Sequence, residues 1–109
     1  MSDLASRSCS AQQGPALTAD RAGSLLKQLE GWTMGQDAKE IRRTFPFKSY
    51  YATMAFVNAV AWIAHREDHH PDMTVGYNKV TVAFSTHSVG GLSENDFIAA
   101  AKIDALGTL

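Results

Sequence analysis

Two stretches near the middle of the chain alternate between apolar and polar or small residues, and this alternation constrains the fold more than any other feature. Apolar residues take every second position of Met73–Tyr77 and again of Val80–Phe84, and only Asn78–Lys79 separates the two stretches. A period of two is typical of half-buried strands, and Asn tolerates the positive φ that a two-residue hairpin turn requires. The sequence therefore predicts an antiparallel hairpin that turns at Asn78–Lys79.

A second pair of strands is predicted upstream. Apolar residues favour one face of Lys39–Phe47, with Arg43 as the exception, and this is again the alternation of a half-buried strand. Trp32–Gly35 is the expected partner strand, and Gln36–Asp37 is the expected turn between the two.

Three other segments have the apolar spacing of three to four residues that marks one face of a helix. The first begins at Thr18 and ends at Gly31, the second begins after Ser49 and cannot continue past Pro71, and the third begins after Ser93. Ser and Thr hydroxyls accept hydrogen bonds from the free amides of a first helical turn, whereas Gly and Pro end helices. The predicted order is helix, strand, strand, helix, strand, strand, helix.

This order predicts the fold class α+β, with a single four-stranded antiparallel sheet and three helices packed on one face. A chain of 109 residues has room for one hydrophobic core. Residues 1–16 lack apolar periodicity and are expected to form a disordered N-terminal tail, so the folded domain is expected at residues 17–109.

Composition excludes several classes of protein. Charged residues make up 19% of the chain, hydrophobic residues make up 45%, and the formal net charge is −1, so we expect neither a disordered chain nor a protein that binds nucleic acid directly. The longest apolar run, Met54–Ala64, is too short to cross a membrane, and residues 1–14 lack the apolar stretch of a signal peptide. Cys9 is the only cysteine; this favours a reducing compartment, and we expect a cytoplasmic protein.

Three of the four histidines lie where predicted elements end. His69 and His70 follow the second helix, and His87 follows the last strand. If Tyr77 pairs with Val80 around the hairpin turn, the same register continued along the strands places His87 opposite His70, with Cβ atoms about 5 Å apart. The sequence therefore predicts a cleft lined by several imidazole rings.

A carboxylate is expected beside these rings, because Asp96 lies in the first turn of the third helix and the chain turns back toward the cluster at Gly90–Gly91. Imidazole exchanges protons near neutral pH, and a neighbouring carboxylate orients the ring and fixes its tautomer. The sequence has neither a nucleophile motif nor a glycine-rich phosphate loop. Acid–base catalysis on a bound small molecule is the function that this pattern favours.

Three other interpretations stay open on these residues. The first is a metal site, because His65 and His69 are four residues apart on one predicted helix face and His87 or Asp96 could complete the ligand set. Arg66 argues against it, since hydrolytic zinc helices carry a Glu at that position. The second is a structural role, in which the histidines end one helix and Asp96 caps another. The third is a non-catalytic module that binds other proteins.

Several segments around these residues form a distinctive combination. They are His69–Pro71, Tyr77–Val80, Ser85–His87 and Gly91–Asp96, with Gly31–Trp32 and Phe45–Lys48 upstream. Together they resemble the motifs of the pterin-4a-carbinolamine dehydratase family. The resemblance covers Leu17–Ile103, which is nearly all of the predicted domain.

The resemblance implies roles for individual residues. The implied catalytic residues are His69, His70 and His87, and the implied substrate-binding residues are Asp68, Ser85, Thr86 and Asp96. Neither a metal nor a cofactor is implied. The chain departs from the family pattern at His65, where a Glu is expected, and at Met73, where an aromatic residue is common.

The resemblance also implies an activity and partners. The implied reaction is the dehydration of 4a-hydroxytetrahydropterin, the 4a-carbinolamine, to quinonoid dihydropterin during tetrahydrobiopterin recycling, which makes the protein a hydro-lyase. The implied assembly is a homo-oligomer, either a dimer or a tetramer. Some members of the family bind a homeodomain transcription factor and others assist phenylalanine hydroxylase, whereas direct binding to nucleic acid or to a membrane is not implied.

Overall fold

The predicted order of helices and strands is confirmed in the computed structural model, which describes residues 3–107. The helices are α1 (Ala19–Leu26), α2 (Tyr50–Glu67) and α3 (Glu94–Asp104), and the strands are β1 (Thr33–Met34), β2 (Ile41–Pro46), β3 (Asp72–Val75) and β4 (Lys79–Phe84). Short 3-10 turns stand at Leu4–Ser6, Gln36–Ala38 and His87–Val89. Within residues 3–107, no helix has both the length and the hydrophobicity that crossing a bilayer demands.

The four strands form a single sheet in the order β1-β2-β4-β3, and each neighbouring pair is antiparallel. β4 lies in the middle and shows the predicted alternation, because Val80, Val82 and Phe84 are buried while Thr81 and Ala83 are less so. The buried side chains of β4 join one hydrophobic core with residues of all three helices. The α+β fold class is thus confirmed.

The predicted helix starts are confirmed, but one predicted helix end is wrong. The hydroxyls of Thr18 and Ser49 each accept a hydrogen bond from the backbone amide three residues later, at 3.2 and 3.1 Å. α1 ends at Leu26 rather than at Gly31, which has a positive φ in the loop that follows. Leu29 packs against the core from outside the helix, and this is why the apolar spacing continues past the helix end.

The predicted hairpin forms, but its register is two residues away from the predicted one. Val75, not Tyr77, pairs with Val80, so the turn lies one residue earlier, at Tyr77–Asn78. A shift of two residues leaves every side chain on the same face of the sheet, so alternation alone could not exclude it. In the structure the ring of Tyr77 is exposed and lies against Tyr50, with the ring centroids 6.2 Å apart, instead of joining a strand pair.

Residues 3–16 differ from the predicted disordered tail. The segment lies against α3, where Leu4 is buried with 1% of its surface exposed and Lys102 Nζ donates to Ala5 O at 2.9 Å. A single buried leucine in a polar segment has no period, so the sequence pattern could not reveal this contact. Residues 1, 2, 108 and 109, which belong to the predicted tail and domain, lie outside the described residues.

Candidate active site

His69 enters the interior because α2 ends two residues before it. Asp68 adopts the left-handed conformation, with φ 52° and ψ 42°, and His69 N donates to Ala64 O at 3.2 Å. This turn reverses the chain at the helix end. The imidazole ring of His69 then lies nearly parallel to Phe84, at 8° with the centroids 5.7 Å apart, and only 9% of the residue is exposed.

Asp96 meets this ring from the start of α3. Its side chain is fully buried and forms the predicted capping box, in which Oδ2 accepts from Ser93 N at 2.9 Å. Oδ2 also accepts from Thr86 Oγ1 at 2.8 Å. The other carboxylate oxygen, Oδ1, lies 2.6 Å from His69 Nε2. The helix cap and the contact with histidine are therefore made by the same carboxylate.

Two hydroxyls support the carboxylate of Asp96. Thr86 and Gly91 form an isolated bridge of antiparallel backbone hydrogen bonds, which holds Thr86 beside the start of α3. Thr86 Oγ1 lies 2.7 Å from Ser93 Oγ. Since Thr86 uses its single hydrogen on Asp96, Ser93 is the donor of this pair. The network runs from Ser93 to Thr86 to Asp96 to His69. Ser93 was not among the predicted site residues, and its place in the capping box is the one signal in the sequence that could have identified it.

The network sets the orientation in which the ring of His69 meets a ligand. When Asp96 Oδ1 accepts the hydrogen of Nε2, the other ring nitrogen, Nδ1, is left without a protein partner among the described residues. A buried carboxylate in this position also stabilises a positively charged imidazole. The arrangement allows His69 to take up and release a proton at Nδ1.

A cavity of about 390 Å³ adjoins this network. It is lined by Asp68, His69 and Thr86, by Asn95 of α3 and by the N-terminal segment Cys9–Gln12. Its volume lies within the range of small-molecule sites. The structure thus brings together four of the seven residues that the sequence analysis placed in a site, namely Asp68, His69, Thr86 and Asp96.

The other three predicted site residues lie apart from this network. His70 and His87 are exposed and make no side-chain hydrogen bond within residues 3–107. The predicted pairing of His87 with His70 is wrong, because the hairpin ladder ends where Asp72 pairs with Ala83 and His87 belongs to the 3-10 turn beyond it. Ser85 lines a separate cavity, beside β1 and β2.

The helical pair on which the metal interpretation depends does not form. α2 ends at Glu67, so His65 and His69 do not share a helix face. His65 is exposed and stacks on Trp62, with the ring centroids 6.0 Å apart, while His69 is engaged with Asp96. Among the described residues, no group of three or more His, Cys, Asp or Glu side chains is arranged to hold a metal ion.

The chain is similar to known proteins over most of its length. The model of the family described as pterin 4 alpha carbinolamine dehydratase matches residues 15–106. A protein of Nitrosospira multiformis named "Putative pterin-4-alpha-carbinolamine dehydratase" is 60% identical over 107 residues, which cover 95% of this chain and 92% of that protein. A protein of Nitrosomonas eutropha with the same name is also 60% identical, over 95% of this chain and 93% of its own length.

Two solved structures are similar in fold. One is described as a transcriptional coactivator/pterin dehydratase from Brucella melitensis; it has a TM-score of 0.79 and 34% identity, and the match covers 84% of this chain and 97% of that one. The other is described as a pterin dehydratase-like protein that is a RuBisCO assembly factor in the alpha-carboxysome; its TM-score is 0.63 at 26% identity, over 73% of this chain and 94% of that one.

Proposed function

Because the chain belongs to the pterin-4a-carbinolamine dehydratase family, we propose that it dehydrates 4a-hydroxytetrahydropterin to quinonoid dihydropterin. The observation that carries this proposal is the buried pair of His69 and Asp96 at the edge of a cavity. The activity is that of a 4a-hydroxytetrahydrobiopterin dehydratase, a hydro-lyase. Its product is the species that a reductase returns to tetrahydropterin, which gives the enzyme a place in tetrahydrobiopterin recycling.

The proposed reaction needs only proton transfer. A protonated imidazole gives its proton to the 4a-hydroxyl, the C4a–O bond breaks and water leaves. The proton on N5 passes to a base, and the N5 electron pair forms the new double bond to C4a. Positioned acid–base groups accelerate such steps by roughly 10²–10⁴-fold, which suits a dehydration that also occurs spontaneously.

His69 is the proposed proton carrier that the geometry supports best, since Asp96 holds its ring and stabilises its charged form. Thr86 acts through Asp96 rather than on the substrate directly.

His70 and His87 are the proposed exposed partners for the second proton transfer. Asp68 and Ser85 are proposed substrate contacts, and of these Asp68 lines the cavity beside His69. Neither a metal nor a cofactor takes part in the proposed reaction.

A dehydratase assay on the purified protein tests this function. We expect the rate of 4a-carbinolamine dehydration to exceed the spontaneous rate in proportion to enzyme concentration, in buffer that contains a chelator. Activity that the chelator abolishes and zinc restores would favour a metal mechanism instead. No acceleration above the spontaneous rate would reject the proposed enzyme.

A second candidate function is binding to other proteins, either in addition to catalysis or in its place. The names of the two similar structures include a coactivator and an assembly factor, and α2 presents the exposed aromatic residues Tyr51 and Trp62. A link to phenylalanine hydroxylase belongs to this proposal. The turnover of the histidine variants separates the two functions, because a protein that only binds other proteins has no dehydratase turnover for the variants to lose.

We also propose that the protein forms a homo-oligomer, a dimer or a tetramer. β3 is an edge strand of the sheet, and an unpaired strand edge can pair with the same edge of a second copy. Sedimentation at micromolar concentration should show at least a dimer, and a monomer would contradict the proposal. The proposed location is the cytoplasm, where the free thiol of Cys9 would stay reduced.

A further inference from the structure

The N-terminal segment is tied to the same helical turn that holds His69. Asn95 is the residue before Asp96 and is buried, with 6% of its surface exposed. Its Oδ1 accepts from Ser10 N at 3.1 Å, and its Nδ2 donates to Ser10 O at 2.7 Å. A single side-chain amide thus pairs with both backbone groups of one residue, much as a neighbouring strand would.

Two further hydrogen bonds fasten the segment on either side of Ser10. Glu67 Oε1, at the end of α2, accepts from Cys9 N at 2.8 Å. Ser88 Oγ, in the 3-10 turn after β4, donates to Gln12 O at 2.9 Å. The segment is therefore attached to the three elements that surround the cavity beside His69.

This segment forms one side of that cavity. Cys9–Gln12 lines it together with Asp68, His69 and Thr86. Ala11 sits between the fastened residues, and within residues 3–107 neither its backbone N–H nor its carbonyl has a hydrogen-bond partner. A donor and an acceptor on the backbone of one residue suit the amide-like edge of a heterocycle, which presents both groups together.

We propose that Ser10–Gln12 is a substrate-binding wall of the pocket beside His69, and that Asn95 is the positioning residue that holds this wall in place. The ligand class is a fused heterocycle with an amide-like edge, which Ala11 would meet with its backbone. This inference rests on the proposed function, because it assigns the wall to the same pterin. Asn95 acts through Ser10 and touches none of the reacting atoms.

The test uses Asn95→Ala in the full chain, with Asn58→Ala on the exposed side of α2 as the matched control. Hydrogen exchange should show the Ser10 amide protected in the wild type and exchanging about tenfold faster in Asn95→Ala, as the loss of one or two hydrogen bonds predicts. The KM for the 4a-carbinolamine should rise by a similar factor while kcat stays within about twofold, since only binding is affected. Asn58→Ala should change none of these quantities.

A second variant protects the test against a folding defect in the first. Ser88→Ala removes the hydrogen bond to Gln12 O, and Ser88 is exposed. This variant should also raise KM, by a smaller factor. An unprotected Ser10 amide in the wild type would overturn the proposal. So would a faster exchange in Asn95→Ala with KM unchanged.

Binding of 7,8-dihydrobiopterin, which cannot be dehydrated, separates this proposal from the proposed function. If the wild type binds it without any dehydratase activity, the proposed function fails, and a weaker affinity in Asn95→Ala still supports the wall. If the wild type dehydrates the substrate rapidly and binds 7,8-dihydrobiopterin no more tightly than Asn95→Ala and Ser88→Ala do, the proposed binding wall is rejected and the proposed function stands.

Discussion

His69 Nε2 and Asp96 Oδ1 lie 2.6 Å apart, although 27 residues separate the two positions in the sequence. The left-handed turn at Asp68 brings one side chain into the core, and the capping box of α3 brings the other. Both are buried, so their contact is little weakened by solvent. A change on either side of this contact should affect both the folding and the proposed chemistry.

Replacing Asp96 by Asn tests the chemical side of the contact. Asn removes the charge that stabilises a protonated His69, and its amide can turn a donor toward Nε2, which selects the other tautomer. Turnover should fall by roughly 10²–10⁴-fold. Steady-state kinetics of Asp96→Asn, with Glu94→Gln of the same helical turn as the control, measure this. Wild-type turnover in folded Asp96→Asn would contradict the proposed role of the pair.

Thr86→Val tests the support beneath Asp96. Val keeps the shape of Thr but removes the hydroxyl that donates to Asp96 Oδ2 and pairs with Ser93. A buried acceptor that loses its donor costs about 1–3 kcal/mol in the free energy of unfolding. Thr86→Ser, which keeps the hydroxyl, should retain most of that stability. Urea denaturation of the two variants measures the difference, and equal midpoints would show that the hydroxyl network is not stabilising.

Phe56→Ala should affect stability without a direct effect on catalysis. Phe56 is buried in α2 and packs against Phe45 and Phe47, with ring centroids 4.6 and 5.0 Å away. Removing the ring leaves a core cavity and should lower the free energy of unfolding by about 3–5 kcal/mol. Tyr51→Ala, from a position in the same helix that is 85% exposed, should change it by less than about 0.5 kcal/mol. Thermal or urea melts that fail to separate these variants would contradict the described core.

Cys9 should be unreactive in the folded protein. Burial and, after it, the nearby Glu67 carboxylate raise the pKa of the Cys9 thiol from 9.0 to about 12. Because the thiolate is the nucleophile, alkylation by iodoacetamide at pH 8 should be slow in native protein and fast in urea. Equal rates in the two conditions would contradict the placement of Cys9.

The same shift makes stability depend on pH in the alkaline range. The unfolded thiol ionises from about pH 9, whereas the folded thiol stays protonated until about pH 12. This raised pKa therefore costs stability as the pH rises between these values. Cys9→Ser should reduce the slope of stability against pH in that window, and denaturation curves at pH 8 and pH 10 compare the two proteins.

The sequence predicts the elements of this fold more fully than the contacts at their ends. Apolar periods identify the three α-helices and the strands β2, β3 and β4, because core burial dictates those periods directly, whereas β1 was predicted only as the partner of β2. They cannot distinguish hairpin registers that differ by two residues, and so the predicted pairing of His87 with His70 was wrong. The contact of Leu4 with α3 was missed for a related reason, since one buried residue creates no pattern.

At the candidate site, the sequence predicted that Asp96 would face the histidines, and the structure confirms this contact for His69 alone. His69→Ala should lower stability as well as turnover. The sequence places His69 at a helix end, where loss of the ring should leave the fold intact, but the structure buries it against Phe84 and Asp96. Removing the ring leaves the buried carboxylate of Asp96 without this hydrogen-bond donor, which costs about 1–3 kcal/mol in the free energy of unfolding. His87 is exposed, so its replacement should leave stability unchanged.

In the proposed reaction, histidines transfer the protons of the dehydration. The turnover numbers of His69→Ala and of His87→Ala, measured well below the melting temperature of each variant, test this. Both variants should lose turnover by roughly 10²–10⁴-fold while they remain folded, with His87→Ala melting like the wild type. If both keep wild-type turnover, or lose it only in step with their melting temperatures, histidine catalysis is contradicted and a protein-binding role takes its place.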